Sequence, residues 1–290
     1  MKTIILGAGG QVGRVLLASA PPAAKIIALD RNALDVTDAE AIARILQAEA
    51  PDLIINTAAY TAVDKAESDH EAAFAINSDA PGHIARAAAC VGARFVHIST
   101  DFVFDGASSL PYSPDASVNP LSVYGASKRA GETAVLAADA NALIVRTAWV
   151  YAAGGRNFVE TMLSMMASRP TINVVADQIG SPTHADSLAR ALWRLAATDY
   201  RGTLHYTDAG VASWYDFAVA IHDLGRAAGL LPSDVEIIPI PTSAYPTPAR
   251  LPACAVLDKA ATWALLGRPA DHWRHELSSM IMKKRISAHG

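Results

Sequence analysis

An apolar segment, Thr3-Ile4-Ile5-Leu6, runs directly into the glycine series Gly7-Ala8-Gly9-Gly10-Gln11-Val12-Gly13. Three of these glycines have separate physical roles at a strand-to-helix junction. Gly7 permits a tight turn, Gly10 lets the backbone approach a pyrophosphate, and Gly13 lets the helix lie close to the strand. The first N–H groups of the helix have no partner within it and can donate to an anion. The stretch therefore predicts a turn that binds the phosphates of a dinucleotide.

Asp30 ends the second apolar run, 23 residues after Gly7. A carboxylate at this place typically binds the ribose hydroxyls of NAD(H), whereas the neighbouring Arg31 can pair with the 2′-phosphate of NADP(H). Asp30 can also be read as a simple turn residue at a strand end. The sequence leaves the preference between NADPH and NADH open.

Short apolar runs alternate with helical patterns at intervals of about 20 to 30 residues, which is typical of βαβ units. The predicted strands are Thr3–Leu6, Lys25–Leu29, Leu53–Asn56, Arg94–Ile98 and Ala142–Thr147. The predicted helices are Gln11–Ala20, Ala39–Ala48, Asp69–Val91 and Val123–Ala137. The strand runs are continuously apolar, as expected for parallel strands covered by helices on both faces. The predicted fold class is α/β, with a Rossmann-type doubly wound parallel sheet.

The pattern becomes less regular after Val150, where we place a domain boundary. Residues 1–150 are predicted to form a dinucleotide-binding domain, completed by part of 172–210. Residues 151–171 and 211–290 are predicted to form a smaller C-terminal substrate-binding lobe. The elements predicted after Val150 are a helix over Phe158–Ala167, a strand near Ile172–Val175, a helix over His184–Ala196 and a loop over Pro239–Pro252. That loop is rich in proline, which lacks the N–H donor and fixes φ.

Composition excludes several classes of partner. The 290 residues carry a net charge of −4 without a basic run, so neither nucleic acid nor an anionic membrane surface is an expected partner. No apolar segment approaches the roughly 18 residues that a membrane span needs, and no signal-peptide layout is visible. Cys90 and Cys254 lie far apart and outside any CxxC spacing, which fits a reducing compartment and disfavours a zinc site. We expect a cytoplasmic protein.

A second motif, Tyr124-Gly125-Ala126-Ser127-Lys128, places Tyr124 and Lys128 one helical turn apart on the same face. A tyrosine with a pKa of about 10 is a poor acid-base group near neutrality, but an adjacent cation and an oxidised nicotinamide both favour its phenolate. Lys128 can also hydrogen-bond the ribose of the cofactor. A surface tyrosine beside a solvated lysine is the alternative, because this spacing occurs by chance in many helices.

The position of a third motif favours the catalytic interpretation. The fourth predicted strand leads into Ser99-Thr100-Asp101, 24 residues before Tyr124, at the edge where such sheets bind ligands. The Thr100 hydroxyl can hold a substrate carbonyl beside the tyrosine, whereas the Ser99 side chain points the other way if the strand continues. Together the motifs predict a nicotinamide-dependent reductase.

These motifs resemble those of the extended short-chain dehydrogenase/reductase superfamily, whose members act on nucleotide sugars. Longer strings, spread over nearly the whole chain, resemble the dTDP-4-dehydrorhamnose reductase family within it. They are Thr61–Glu67, Ser99–Gly106, Arg146–Tyr151, Asp177–Thr183 and Tyr245–Arg250, whereas Asn56–Tyr60 belongs to the resemblance to the wider superfamily.

The resemblance implies hydride transfer from NADPH, or from NADH, to the C4 ketone of dTDP-6-deoxy-L-lyxo-4-hexulose, giving dTDP-L-rhamnose. Tyr124 would donate the proton, Lys128 would lower its pKa and bind ribose, and Thr100 would hydrogen-bond the reacting oxygen. The other residues implied are Gly10, Gln11 and Val12 for the pyrophosphate, Asp30, Asp35 and Val36 for the adenosine, Ala58, Ala59 and Tyr60 beside the cofactor, and Asp101 and Trp149 for the sugar. Trp149 can alternatively be a core aromatic, and Asn77 is either a residue near the active site or a solvent-facing helical residue.

The chain also departs from the family pattern. Phe102 stands where many members have tyrosine, and Leu251 stands where a second arginine is common. Val15 and Asp186 occupy two positions at which some members hold magnesium with glutamates, so no metal is expected, and the chain should be a monomer or a homodimer. The rival functions are another nucleotide-sugar reductase or epimerase, and a non-catalytic regulatory subunit that would lack an intact Tyr-Lys pair.

Overall fold

The structure is a computed structural model that describes residues 1–289, with side chains through residue 286. The strands are β1 (Lys2–Leu6), β2 (Lys25–Leu29), β3 (Leu53–Asn56), β4 (Arg94–Thr100), β5 (Leu143–Thr147), β6 (Val150–Tyr151), β7 (Thr171–Val175), β8 (Ile179–Gly180), β9 (Thr183–His184), β10 (Gly202–His205), β11 (Ala212–Ser213) and β12 (Glu236–Ile240). The helices are α1 (Gln11–Ala18), α2 (Ala39–Glu49), α3 (Val63–Ala66), α4 (His70–Phe74), α5 (Ala80–Val91), α6 (Val123–Ala138), α7 (Phe158–Met166), α8 (Ala185–Ala196), α9 (Trp214–Ala227), α10 (Ala260–Leu266) and α11 (Trp273–His289).

Six strands form one parallel sheet in the order β10-β5-β4-β3-β1-β2. Successive side chains of a strand point to opposite faces, and both faces are covered. Ile5 of β1 packs with Leu16 of α1 and Leu188 of α8, whereas Ile4 packs in a separate cluster with Ile42 of α2. The predicted α/β fold with a doubly wound parallel sheet is confirmed.

The predicted helix over Asp69–Val91 is interrupted in the structure. α4 and α5 are separated by a π-helical turn, Ala75–Asp79. The backbone carbonyl of Asn77 in this turn lies so close to Gly131 of α6 that a Cβ at Gly131 would collide with it. A π turn is a local bulge that apolar periodicity does not reveal, and such turns are frequent at functional sites.

The proline-rich segment is not entirely a loop. Its first two residues, Pro239 and Ile240, end β12, which pairs in parallel with β7 in a two-stranded sheet. Proline is tolerated there because neither strand of a two-stranded sheet needs all of its N–H groups for pairing. The prediction of a loop is therefore wrong for these two residues, while a 3-10 turn follows at Thr242–Ala244.

A second hydrophobic core lies outside the large sheet. It joins side chains of α7, α9 and α11, including Leu163, Phe217 and Leu277, with the strands β7 and β12 beside them. Two further small strand pairs are β8 with β11 and β6 with β9. Within residues 1–289, no helix combines the length and the apolar character that crossing a membrane would require.

Candidate active site

The junction of β1 and α1 depends on glycine for steric reasons. Gly7 has a φ of +75°, and a Cβ there would lie 2.6 Å from the backbone nitrogen of Ala58. A Cβ on Gly13 would collide with the carbonyl oxygen of Gly7. Gly10 is the N-cap of α1 and offers no side-chain acceptor, so the first N–H groups of the helix stay available for an anion. These features fit the phosphates of a dinucleotide.

Two cavities meet at this junction. The smaller, of about 530 Å³, extends toward the end of β2, and the larger, of about 690 Å³, extends toward the carboxyl ends of β4 and β5. Gly10, Thr57 and Ala59 line both cavities. The two therefore form one continuous groove, with the helix N-terminus in the middle, as a dinucleotide of two unlike halves requires.

The smaller cavity is the end predicted to hold the adenosine. It is lined by Asp30, Arg31, Asp35 and Val36, so the structure brings these predicted residues together. Asp30 Oδ1 also accepts the backbone N–H groups of Asn32 and Ala33, at 2.9 and 3.0 Å. Asp30 therefore has both of the roles considered for it: it closes a turn at the end of the strand, and it lines the cavity predicted to hold the adenosine. Two hydrogen bonds from Thr37 hold the pKa of Asp35 below its ordinary value.

The segment after β3 forms the floor of the groove, although its tyrosine does not face it. Ala58 and Ala59 line the smaller cavity, whereas the Tyr60 hydroxyl donates to Asp69 Oδ2 at 2.9 Å and lines neither cavity. Asn77 bonds both backbone groups of Tyr60, accepting from its N–H at 2.8 Å and donating to its carbonyl at 3.0 Å. Tyr60 therefore contributes its backbone to the shape of the site.

Asn77 is fully buried, so the solvent-facing interpretation is wrong. Its Nδ2 donates to Ser127 Oγ at 3.0 Å, and that hydroxyl donates to the Tyr124 carbonyl at 2.8 Å. The π turn thus ties the segment under the cofactor groove to the helix of the Tyr-Lys motif.

The first turn of α6 sets the position of Tyr124. Ser122 caps the helix by accepting the Gly125 N–H at 3.2 Å. A Cβ on Gly125 would collide with the carbonyl oxygen of Phe102, so glycine allows the helix to approach the turn that follows β4. The Tyr124 ring meets the Phe102 ring edge-on, with centroids 5.6 Å apart. The side chains of Tyr124, Thr100 and Lys128 line the larger cavity together, as predicted.

Burial raises the pKa of Tyr124 to about 12, which a hydrogen bond with Thr100 partly opposes. Lys128 Nζ donates to the Ile98 carbonyl at 2.7 Å. The expectation that Lys128 lowers the pKa of Tyr124 stays a prediction. A phenol that stays protonated near neutral pH is nonetheless the form that a proton donor needs.

Besides Ser99 Oγ, two buried polar atoms of residues that line the larger cavity have no hydrogen-bond partner among the described residues. One is Asp101 Oδ2, and the other is Thr147 Oγ1. The second oxygen of the Asp101 carboxylate, Oδ1, accepts a hydrogen bond from the Thr100 hydroxyl at 3.0 Å. Burial raises the pKa of Asp101 to about 7. Unpaired buried polar groups are costly, so both atoms fit a ligand with hydroxyl groups.

An aromatic wall closes the far side of the larger cavity. The Trp149 and Trp214 rings are stacked, with centroids 3.5 Å apart and planes 6° from parallel, and both line the cavity. Trp149 has a φ of +46°, which is rare for a bulky residue, and a Cβ on Gly180 would lie 2.6 Å from its indole. Trp149 thus lines the cavity and also packs against the core of α7, α9 and α11, so both interpretations hold in part.

The two positions considered for a metal have other contacts. Val15 packs beside the Leu16 cluster, and Asp186 Oδ2 accepts a hydrogen bond from Lys283 at 2.7 Å. No group of three or more His, Cys, Asp or Glu side chains in the described part of the chain is arranged to hold a metal ion.

Some cavity residues were not predicted. They include Arg14, Thr57, Thr61, Val63, Ile98, Thr147, Gly155, Arg156 and Trp214. Thr57, Thr61, Val63 and Thr147 lie in the sequence strings that carry the resemblance, so membership in those strings could have identified them as site residues. Trp214 lies in no such string, and only the structure reveals its stacking on Trp149.

A dinucleotide groove that opens onto a Tyr-x-x-x-Lys helix defines the short-chain dehydrogenase/reductase class of oxidoreductases. The family model described as RmlD substrate binding domain matches residues 1–286. The chain belongs to this family, that of the dTDP-4-dehydrorhamnose reductases, as the resemblance of its motifs predicted.

Individual relatives agree with this assignment. A dTDP-4-dehydrorhamnose reductase of Burkholderia thailandensis is 44% identical over 292 residues, which cover 97% of this chain and 98% of the relative. The crystal structure of a dTDP-4-dehydrorhamnose reductase from Clostridium acetobutylicum matches with a TM-score of 0.93 and 38% identity, over 98% of this chain and 100% of the other. The enzyme from Bacillus anthracis, solved in complex with NADP, matches with a TM-score of 0.92 and 34% identity, over 97% and 99% of the two chains.

Proposed function

We propose that this protein uses NADPH to reduce the C4 ketone of dTDP-6-deoxy-L-lyxo-4-hexulose, which gives dTDP-L-rhamnose. The observation that carries the proposal is the cluster of Tyr124, Thr100 and Lys128 in a cavity that continues into the dinucleotide groove. A relative with this activity is 44% identical over nearly the full length, and the similar Bacillus anthracis enzyme binds NADP.

The cofactor groove supports the choice of a dinucleotide. Gly10, Gln11 and Val12 would hold the pyrophosphate with the open end of α1, and Gly7 and Gly13 would shape the turn. Asp30, Asp35 and Val36 would surround the adenosine, and Ala58, Ala59 and the Tyr60 backbone would lie along the cofactor. When bound, NADPH supplies the hydride.

The chain's own residues supply the proton and the orientation of the ketone. Thr100 would hydrogen-bond the reacting oxygen, and Tyr124 would donate the proton to that oxygen. Lys128 would bind the ribose and hold its charge beside the phenol. Asp101 and Trp149 would contact the sugar, because the unpaired Oδ2 of Asp101 and the face of Trp149 belong to the same cavity.

The two-lobe division is also part of the proposal. The large sheet uses strands from residues 2–147 and 202–205, which supports a cofactor-binding half over 1–150 completed by part of 172–210. The separate core of α7, α9 and α11 supports a substrate-binding lobe over 151–171 and 211–290. Helix α10 lies within 211–290 by sequence, but its Leu266 packs in the core of the large sheet.

The site is complete within one chain, so we propose a monomer or a homodimer, which light scattering distinguishes. We also propose a cytoplasmic location. Both cysteines are free, Cys90 exposed and Cys254 half-buried, which agrees with a reducing compartment.

The test is a turnover assay, in which loss of NADPH absorbance is followed with dTDP-6-deoxy-L-lyxo-4-hexulose and with a panel of other nucleotide 4-keto sugars. Turnover of the first substrate, and weak or no turnover of the others, is the expected result. Faster turnover of another sugar would identify a different reductase or epimerase. NADPH binding without turnover of any sugar would favour a regulatory subunit, although the intact Tyr124 and Lys128 pair argues against that function.

A further inference from the structure

His97 lies beneath the catalytic helix, and its two ring nitrogens contact two different elements. The residue is fully buried on β4. Its Nδ1 is 3.1 Å from Nδ2 of Asn56 on β3, and its Nε2 is 3.3 Å from Nζ of Lys128 on α6. The ring therefore connects the floor of the cofactor groove to the lysine of the Tyr-Lys pair.

The orientation of the Asn56 amide decides which ring nitrogen carries the hydrogen. Asn56 Oδ1 accepts the backbone N–H of Ala58 at 3.0 Å, so the group that faces the ring is the donor Nδ2. A neutral imidazole has one N–H, so the Nδ1 that accepts this bond is bare and Nε2 carries the hydrogen. Burial, and secondarily the charge of Lys128, hold the pKa of His97 well below its ordinary value, which keeps the ring neutral.

This tautomer has a consequence for Lys128. The Nε2–H points toward Nζ, which has a lone pair only when the lysine is a neutral amine. An ammonium offers no acceptor and places two donors against each other in a site where Lys128 is 2% exposed. The bond from Nζ to the Ile98 carbonyl can form in either state, so it does not compensate for the missing acceptor.

We propose that His97 is a positioning residue, fixed by Asn56 so that its Nε2–H stabilises the neutral amine of Lys128. Its role in turnover rests on the proposed function. After Tyr124 has given its proton to the sugar oxygen, one proton moves in net from the Lys128 ammonium to the Tyr124 phenolate. The products are a phenol and an amine that accepts the Nε2–H, and solvent later returns a proton to the amine.

The surrounding charges agree with this picture. Burial lowers the pKa of Lys128 to about 8, while the negative charge of Glu132, one turn further along α6, acts in the opposite direction. Glu132 is itself paired with Arg146 of β5 at 2.8 Å. On the cavity side the titratable neighbours are Tyr124 and Asp101. All of these groups remain in place when only His97 is changed.

The first experiment reads the tautomer directly in the wild-type protein. Two-dimensional ¹⁵N–¹H spectra of the full chain distinguish a protonated ring nitrogen from a bare one, and a His97→Gln variant assigns the signals. The expected result is a bare Nδ1 and a protonated Nε2 that persist across neutral pH. A hydrogen on Nδ1, or a ring that carries both hydrogens near neutral pH, would overturn the proposal.

The second experiment follows the ¹³Cε resonance of Lys128 against pH, with Lys128→Arg for assignment. In His97→Phe, which keeps a ring but has no donor, the pKa of Lys128 should rise by about one unit, because the ammonium is relieved of an opposing N–H. His97→Gln, which keeps an amide donor, should titrate close to the wild type. An unchanged pKa of Lys128 in a folded His97→Phe variant would contradict the proposed role of His97.

The kinetic readout separates positioning from a merely structural role. The high-pH limb of kcat should shift upward by the same amount in His97→Phe, while KM for the sugar stays near the wild-type value. A rise in KM without a shift of the pH profile would mean that His97 only maintains packing, and would overturn the proposal. The two NMR experiments need no sugar substrate, so they still decide this proposal if the proposed function fails.

Discussion

The two ends of the groove are built from different materials. The dinucleotide end is made of backbone: a turn that glycine permits, an uncapped helix terminus, and strand ends brought side by side by the sheet. The sugar end is made of side chains, chiefly Trp149 stacked on Trp214, with Gly180 beneath. Gly180 and Trp214 lie 31 and 65 positions beyond Trp149 along the chain.

The difference indicates where each end can change. An end made of backbone tolerates most side chains that point outward, but it cannot tolerate a Cβ where two backbones touch. An end made of side chains can be altered by a single substitution without disturbing the sheet. We therefore expect substitutions at the first end to change cofactor binding and substitutions at the second to change the choice of sugar.

Tyr124 lines only the larger cavity, and its proposed role is to donate a proton, so its replacement should change kcat more than binding. Tyr124→Phe removes the proton donor, and kcat should fall by at least about 100-fold, as the loss of a general acid requires. The Kd for NADPH, measured by fluorescence titration, should stay near the wild-type value. Tyr200→Phe, at a turn outside both cavities, serves as a control. Wild-type turnover in Tyr124→Phe would remove this residue from the mechanism.

Gly13→Ala tests the end that is made of backbone. The added Cβ would collide with the Gly7 carbonyl and push α1 away from β1. Overpacking of this kind costs about 1 to 3 kcal/mol, which corresponds to a loss of NADPH affinity of roughly 5- to 150-fold if it falls on the bound state. Gly9→Ala is the matched control, because its Cβ would meet Asp30 at an ordinary 3.5 Å. Equal losses in both variants would contradict a specific role for the close approach at Gly13.

The same division explains what could be predicted from sequence. The sheet was predictable because buried parallel strands are continuous apolar runs, and the glycine turn because each of its glycines answers a local steric demand. Tyr124, Lys128 and Thr100 were predictable because helical spacing and a strand end place them at one edge of the sheet. All of these signals lie within a few residues of the feature that they predict.

The features that escaped prediction depend on contacts between distant segments. Nothing near Trp214 indicates that it stacks on Trp149, and nothing near Asn77 indicates the π turn that buries it. The direction of the Tyr60 side chain is set by Asp69, which lies on the loop before α4. Spacing shows that Lys128 is close to Tyr124, but not that its Nζ turns toward the Ile98 carbonyl.

Trp214→Leu tests the end that is made of side chains. Without the stacked partner, Trp149 should lose its fixed position, and KM for the sugar should rise by about 2- to 10-fold, since an aromatic pair contributes roughly 0.5 to 1.5 kcal/mol. The NADPH Kd should not change. Trp214→Phe keeps a ring against Trp149 and should recover most of the loss. A change in NADPH affinity that matches the change in KM would show that the two ends are not independent.

Asp30 provides the smallest expected effect, because it has a backbone role and a side-chain role at once. Asp30→Ala removes the acceptor of the turn and the carboxylate that faces the cavity, so NADH binding should weaken by several-fold. NADPH binding should weaken less, because its 2′-phosphate no longer meets a negative charge and still has Arg31 beside it. Asp30→Asn keeps an oxygen for the Asn32 and Ala33 N–H groups and isolates the effect of charge. If both variants weaken the two cofactors equally, Asp30 only shapes the turn, and the adenosine end is built of backbone alone.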